Sequence, residues 1–199
     1  MINDITEILK TYLPNKLKIH HSLYRQAAIG EYLEELISSV LAENGYSNDW
    51  QPNKKHTISV DMNLDIGMSL SVKSGIYDVS KNTLEFSGSR LSKHETLEDM
   101  VKSVIDNRAD YYVCVSKVDQ DWSVYPDFSD PKIYYLFVFP SSALRYDSEW
   151  TTKYSKKGKP THYMEIDGMY ADISSSLSYQ LWTTVSLDLV GSPARFDII

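Results

Sequence analysis

The sequence predicts a single α/β domain in which a central sheet is flanked by helices, and three observations carry that expectation. Ala27 to Asn44 sets Ile29, Leu33, Leu36, Ile37, Val40 and Leu41 at the i, i+3, i+4, i+7 spacing of an amphipathic helix, stopped by Asn44-Gly45. From Thr57 the apolar period changes to two, which signals paired strands. A second amphipathic helix, Thr96 to Asn107, gathers Leu97, Met100, Val101, Val104 and Ile105 on one side and leads into the strand Asp110 to Ser116.

Each element can be justified in chain order. Residues 2 to 13 read as a short helix ended by Pro14, followed by a loop or arm holding Lys16, Lys18, His20, His21 and Arg25. After the Ala27 to Asn44 helix, Ile58, Val60, Met62 and Leu64 alternate with Ser59, Asp61 and Asn63; beyond Asp65-Ile66-Gly67, Met68, Leu70 and Val72 alternate with Ser69, Ser71 and Lys73. A three-residue turn at 65 to 67 pairs Leu64 with Met68 and Met62 with Leu70, and puts Gly67 where a left-handed residue is wanted. Ser74-Gly75 reads as a strand break, Thr83 to Phe86 as another strand, and Ser87-Gly88-Ser89-Arg90 as a polar loop. Ile133 to Phe139 has the apolar continuity of a buried strand, with a short helical turn at Pro140-Ser141-Ser142. The stretch from Ala171 to Ile199 is rich in Ser and Leu and shows no clear period.

Bulk properties narrow the function. A chain of 199 residues, 42% hydrophobic and 24% charged, can bury a substantial core as one domain spanning 1–199. No basic-then-apolar leader is visible and no run approaches the roughly 20 apolar residues of a membrane span, so a cytoplasmic protein without a membrane partner is expected. Cys114 is the single cysteine, which excludes an intrachain disulfide and a thiolate zinc cluster. The net charge of -7, from 27 acidic against 20 basic residues, argues against a protein that coats nucleic acid by bulk electrostatics. It is compatible with an enzyme whose carboxylates hold a cation and whose basic residues are concentrated locally; such an enzyme binds DNA poorly without metal.

One constellation carries chemistry. In the three-residue-turn register Asp61 lies across from Ser71, and Lys73 follows two residues further along the same face. A carboxylate binds a hard cation through oxygen, and an ammonium beside it can stand next to an attacking water, the requirement of metal-assisted phosphodiester hydrolysis. On the preceding helix Glu34 falls roughly 90 degrees from the centre of the apolar stripe, whereas Glu31 and Glu35 fall roughly 150 degrees or more away, so Glu34 can look into a site beside the sheet.

Three segments, Gly30-Glu31-Tyr32-Leu33-Glu34, Ser59-Val60-Asp61 and Ser71-Val72-Lys73-Ser74-Gly75, together with the helix-strand-strand-strand-helix-strand order, resemble the PD-(D/E)xK nuclease superfamily over roughly residues 27 to 116. The resemblance implies a restriction-endonuclease-like αβββαβ core with a mixed sheet. It also implies a Mg2+ ion held by Asp61 and the Val72 carbonyl, with Glu34 contributing directly or through water, and Lys73 orienting or deprotonating the nucleophilic water. The products implied are 5'-phosphate and 3'-hydroxyl ends. Val60 replaces the usual proline, and Ser71 replaces the acid two residues before the lysine; Glu85 is the first substitute acid, with Asp65 and Glu34 as the others.

A type II restriction endonuclease acting on double-stranded DNA is therefore the expected function, with a twofold homodimer compatible with a palindromic site. Ser87, Ser89, Arg90 and Lys93 could grip phosphates near a helix start, and Lys153, Lys156, Lys157 and Lys159 form an exposed basic loop suited to backbone contact. Residues from about 117 onward are expected to complete the sheet and contact DNA. A Holliday-junction or repair nuclease and a catalytically inert DNA-binding module of the same fold are the rival readings. His20, His21 and His94 have no metal-motif spacing and are expected to be exposed or DNA-facing.

Overall fold

The computed structural model describes residues 1–24, 28–52, 60–118, 133–174 and 179–198. Helix α1 runs Ile2–Tyr24, straight through Pro14. The expected stop at Pro14 is thus corrected, along with the arm that was to follow it. Proline inside a helix costs about 3 kcal/mol, but the stripe Ile5, Leu9, Leu13 and Leu17, all fully buried, continues past it at four-residue spacing. Packing of that second half outweighs the missing backbone bond. The same continuation buries His20 and His21, at 5% and 8% exposure, instead of presenting them to solvent or DNA. Lys16 ties α1 to helix α2 (Glu31–Glu43) through an ion pair of 2.6 Å with Glu43.

Strands β1 (Met62–Leu64) and β2 (Met68–Asp78) form the expected hairpin. Its register is Met62 with Leu70 and Leu64 with Met68, around a turn in which Gly67 has φ +75 and its N–H reaches the Leu64 carbonyl at 3.0 Å. The expected beginning of this strand, at Thr57 to Ser59, lies outside the described residues. Ser74-Gly75 does not break β2. Gly75 is needed for another reason: a Cβ there would stand 2.7 Å from the Glu85 carbonyl oxygen of the neighbouring strand.

Strand β3 (Thr83–Arg90) continues through the four residues read as a loop, its second half paired with a later strand across a bulge between Ser87 and Arg90. A 3-10 turn, Leu91–Lys93, leads to α3 (Leu97–Asp106), which is capped reciprocally: Thr96 Oγ1 accepts from Asp99 N–H at 3.0 Å and donates to the Asp99 carboxylate at 2.8 Å. Strands β4 (Tyr111–Val118) and β5 (Ile133–Pro140) follow, then the expected turn at Ser141–Ala143.

The final third, aperiodic in sequence, is mostly strand: β6 (Thr151–Tyr154), β7 (Pro160–Ile166), β8 (Met169–Ser174) and β9 (Gln180–Ser186) make an antiparallel meander, and a short helix α4 (Leu187–Val190) precedes β10 (Ala194–Asp197). The alternation is masked because polar residues occupy core slots. Thr183 is 1% exposed between Leu181 and Val185, its hydroxyl paired with the Tyr146 hydroxyl at 2.7 Å.

Among the described residues one mixed ten-stranded sheet results, in the order β10-β5-β4-β2-β3-β9-β8-β7-β6, with β1 beside β2. Only β2 and β4 are parallel, joined through β3 and α3. The face bearing Leu70, Val72, Val113 and Val115 packs under α1 and α2. The opposite face, with Phe86, Tyr112, Cys114 and Phe139, packs under Met100 and Val104 of α3 and Val190 of α4. This is a mixed α/β architecture with helices on both faces of the sheet.

Candidate active site

β4 occupies one edge of β2 along its whole paired length, from Leu70 to Tyr77, so β1 and β3 must share the other. The β1 ladder reaches Leu70 and the β3 ladder begins at Gly75. Between them the backbone of residues 71 to 74 has no strand partner on that edge among the described residues. Asp61 fills the start of this gap. Its backbone N–H still bonds to the Leu70 carbonyl at 3.0 Å, which fixes the residue at the point where β1 departs.

Three donors converge on one carboxylate oxygen there. Asp61 Oδ2 accepts from the Val72 backbone N–H at 2.7 Å, from the Ser71 hydroxyl at 3.1 Å and from the Lys73 ammonium at 3.1 Å. Lys73 Nζ also donates to the Val72 carbonyl at 3.0 Å. No described residue donates a hydrogen bond to the other oxygen, Oδ1. The pair is largely enclosed, with side-chain exposures of 17% for Lys73 and 14% for Asp61, while Ser71 is fully buried. Tyr112 and Cys114 lie beneath. Burial raises the pKa of both, and the Asp61 carboxylate adds a smaller push on Tyr112, so both stay protonated near neutral pH.

Two oxygens of this cluster suit a hard divalent cation. The Asp61 carboxylate and the Val72 carbonyl both face Lys73 Nζ, so they already converge on a point where positive charge is stabilised. Mg2+ commonly uses one or two carboxylates and keeps several waters, and the donor set fits that pattern. Among the described residues no group of three or more His, Cys, Asp or Glu is placed to hold a metal, so the site is poor in carboxylates.

The other expected acids fall elsewhere. Glu34 is half-buried while Glu31 and Glu35 are exposed, as the helical geometry anticipated. Its carboxylate accepts from the Trp50 indole at 3.1 Å. Trp50 follows a segment laid along the outer side of β1, where Asn48 bridges Leu64 and Asp49 takes the Asn63 backbone N–H at 2.7 Å. Glu34 is thereby tied to Trp50 beside β1, on the Leu70–Val72 face that α2 covers and opposite the face of Lys73, through a tryptophan that had no sequence signal. Asp65 sits in the hairpin turn, four residues and about 13 Å along the strand from Asp61. Glu85 pairs across from Ile76, so its side chain leaves the sheet on the face opposite Lys73. Neither replaces the acid at Ser71 in this arrangement.

The basic candidates are dispersed. Ser87 and Ser89 are half-buried in β3, and Arg90 and Lys93 are exposed near its end. Lys153 lies in β6, 4.6 Å from the Tyr163 ring centroid, and Lys156, Lys157 and Lys159 crown the β6-β7 hairpin, all exposed. β6 is five strands from β2 in the sheet order, about 24 Å if the sheet were flat. The lysines are therefore remote from Asp61 and Lys73. His94 Nε2 is buried with no hydrogen-bond partner, and Cys114 is buried.

No helix among the described residues is long and apolar enough to cross a membrane. Comparison of the chain with protein-family models, with curated proteins and with solved structures gave no match.

Proposed function

We propose that the protein is a Mg2+-dependent endonuclease of the PD-(D/E)xK kind, acting as a type II restriction enzyme on double-stranded DNA in the cytoplasm. The observation that carries this reading is the convergence of Asp61, the Val72 carbonyl and Lys73 in the gap between β1 and β3. A surface hairpin with alternating polar residues would leave such groups solvated and apart; here they are enclosed and mutually bonded.

Asp61 and the Val72 carbonyl would hold the cation, with water completing its coordination. The bound cation would supply Lewis acidity to a phosphate oxygen and to water. The residues perform the rest. Ser71 and the Val72 N–H fix Asp61 Oδ2 and leave Oδ1 open. Lys73, released from its contact with Asp61, orients the water for in-line attack on phosphorus and offers positive charge to the developing oxyanion. The leaving group is the 3'-oxygen, which gives 5'-phosphate and 3'-hydroxyl ends. The exposed lysines of the β6-β7 hairpin are suited to holding the duplex some distance from the scissile bond. A twofold dimer would match the symmetry of a palindromic site.

The test is incubation of purified protein with phage DNA and Mg2+. Discrete fragments that vanish for Lys73→Ala and Asp61→Ala are expected. Sequencing the fragment ends would give site, stagger and end chemistry together, whereas cutting of branched substrates irrespective of sequence would assign the protein to junction or repair nucleases.

A further inference from the structure

Strand β6 ends the sheet order, bonded to β7 on one side and without a strand partner on the other among the described residues. Thr151, Thr152, Lys153 and Tyr154 are all exposed, Tyr154 to 71%. Such an edge offers N–H and C=O groups to a further strand, and proteins commonly guard it with a lysine. Lys153 holds the guarding position, yet its ammonium lies 4.6 Å from the Tyr163 ring centroid on β7, drawn inward from the edge.

The register with β7 fixes the two faces of β6. Thr152 pairs with His162 and Tyr154 with Pro160, on the side where Met164 shares a buried cluster with α3. Thr151 and Lys153 point to the other side. On the α3 side, Trp150 and Thr152 line an open groove of about 530 Å³ together with Leu97, Val101 and Ile105. Charge reverses along the segment: the exposed acids Asp147 and Glu149 precede the strand, and the exposed Lys156 and Lys157 follow it. A segment of that kind is complementary to its own copy running the opposite way. A parallel copy would set acid beside acid and lysine beside lysine.

We infer that β6 is the interface of a twofold homodimer, in which the β6 strands of two copies pair antiparallel and join their sheets. The axis stands normal to the sheet, so residues opposite one another lie on the same face. Two registers centre on the strand. One sets Lys153 against Lys153, like charges directly opposed, which is unfavourable. The other sets Thr152 against Thr152 and Thr151 against Lys153, and carries Tyr154 of each copy to Trp150 of the other on the groove side. Charge selects the second register, and the aromatic pairs strengthen it. Asp147 and Glu149 of each copy then come beside Lys156 and Lys157 of the other. These exposed charges set direction more than strength, because surface ion pairs contribute little. The interface needs neither metal nor DNA and stands apart from the nuclease reading.

The experiment uses the full chain without Mg2+ or DNA. Sedimentation velocity over rising concentration should show a monomer-dimer equilibrium with a dissociation constant on the order of 10 μM, weak because the contact is small. Tyr154→Asp should weaken it at least about tenfold, with an unchanged circular dichroism spectrum. Oxidation reads the register. Thr152→Cys should give a disulfide-linked dimer, since opposite Cα atoms stand about 4.5 to 5.5 Å apart. Lys153→Cys should not, because its two copies are diagonal neighbours about 7 to 8 Å apart. The native Cys114 is buried and does not compete. A protein still monomeric at about twenty times that concentration overturns the interface, as does a dimer that Tyr154→Asp leaves intact or linkage through Lys153→Cys in place of Thr152→Cys. The two readings fail separately: a dimer that cuts no DNA keeps the interface and removes the nuclease, whereas a strict monomer that cuts DNA removes only the interface.

Discussion

The ammonium of Lys73 stands 3.1 Å from Asp61 Oδ2 and 3.0 Å from the Val72 carbonyl, bridging the two oxygens best suited to a divalent cation. Lysine and cation therefore compete for the same acceptors. Lys73→Met should abolish cleavage while leaving Ca2+ or Mg2+ affinity equal to or above that of the parent protein, and Asp61→Asn should lose both. Isothermal titration without DNA, set beside a cleavage assay, separates the two. Metal affinity that falls sharply in Lys73→Met would contradict the competition.

Ser71 is fully buried, and its hydroxyl bonds to Asp61 at 3.1 Å. Ser71→Ala should cost about 1 kcal/mol of stability, the usual worth of such a bond, and reduce cleavage about tenfold, because two donors still hold Asp61. Ser71→Asp would place a second carboxylate beside the first. Its melting temperature should drop in chelator and recover with Mg2+ by more than the parent protein gains. A metal-independent melting temperature in Ser71→Asp would argue against a cation at this position.

Gly75 lies where β3 begins to pair with β2, and an added Cβ would meet the Glu85 carbonyl at 2.7 Å. Backbone cannot swing aside as a flexible side chain can. Gly75→Ala should therefore destabilise by about 1 to 3 kcal/mol, measured by urea unfolding. An unchanged midpoint would show that the strands can separate locally.

His20 is enclosed by His21, Tyr24 and Tyr32, and burial, helped by His21, lowers its pKa. The unfolded chain takes up this proton near pH 6.5, whereas the folded chain resists it, so protons favour unfolding. The contribution is complete above about pH 6.5, is lost as pH falls below it, and levels off under the lowered native value. Melting curves between neutral pH and about pH 5 should flatten in His20→Phe, whose ring fills the same aromatic box. An identical pH profile in both proteins would mean that other groups set the acid limit.

Lys156, Lys157 and Lys159 are exposed at the tip of the β6-β7 hairpin and bear no structural ion pair among the described residues. Replacing all three by Gln should leave thermal stability within about 0.5 kcal/mol. If they touch phosphates, the slope of log affinity for duplex DNA against log salt should fall by about 0.9 per phosphate that is no longer neutralised. An unaltered slope would move the duplex to another surface.

What was legible in the sequence was local. The Leu64-Met68 and Met62-Leu70 register followed from alternation and from the left-handed turn position at Gly67, because a one-residue slip would have exposed the core side chains. The α3 helix, the β4 and β5 strands and the outward angles of Glu31 and Glu35 were fixed in the same way, by periods and steric rules within a few residues.

Tertiary structure decided the rest. Pro14 stays inside α1 because residues far along the chain, including Phe196 and Ile198, share its core cluster and reward the longer helix. The last third hides its strands because Thr183 fills a core position only when Tyr146 is there to pair with its hydroxyl. The Asp61-Lys73 pair could be placed from the hairpin alone, but the gap between the β1 and β3 ladders beside Val72, seen among the described residues, arises because β1 and β3 take turns along one side of β2. Whether Glu85 can join Lys73 was likewise a matter of which residue it faces across the sheet. Pairing with Ile76 sends it to the other side, a choice made by strand register and invisible to any short stretch of sequence.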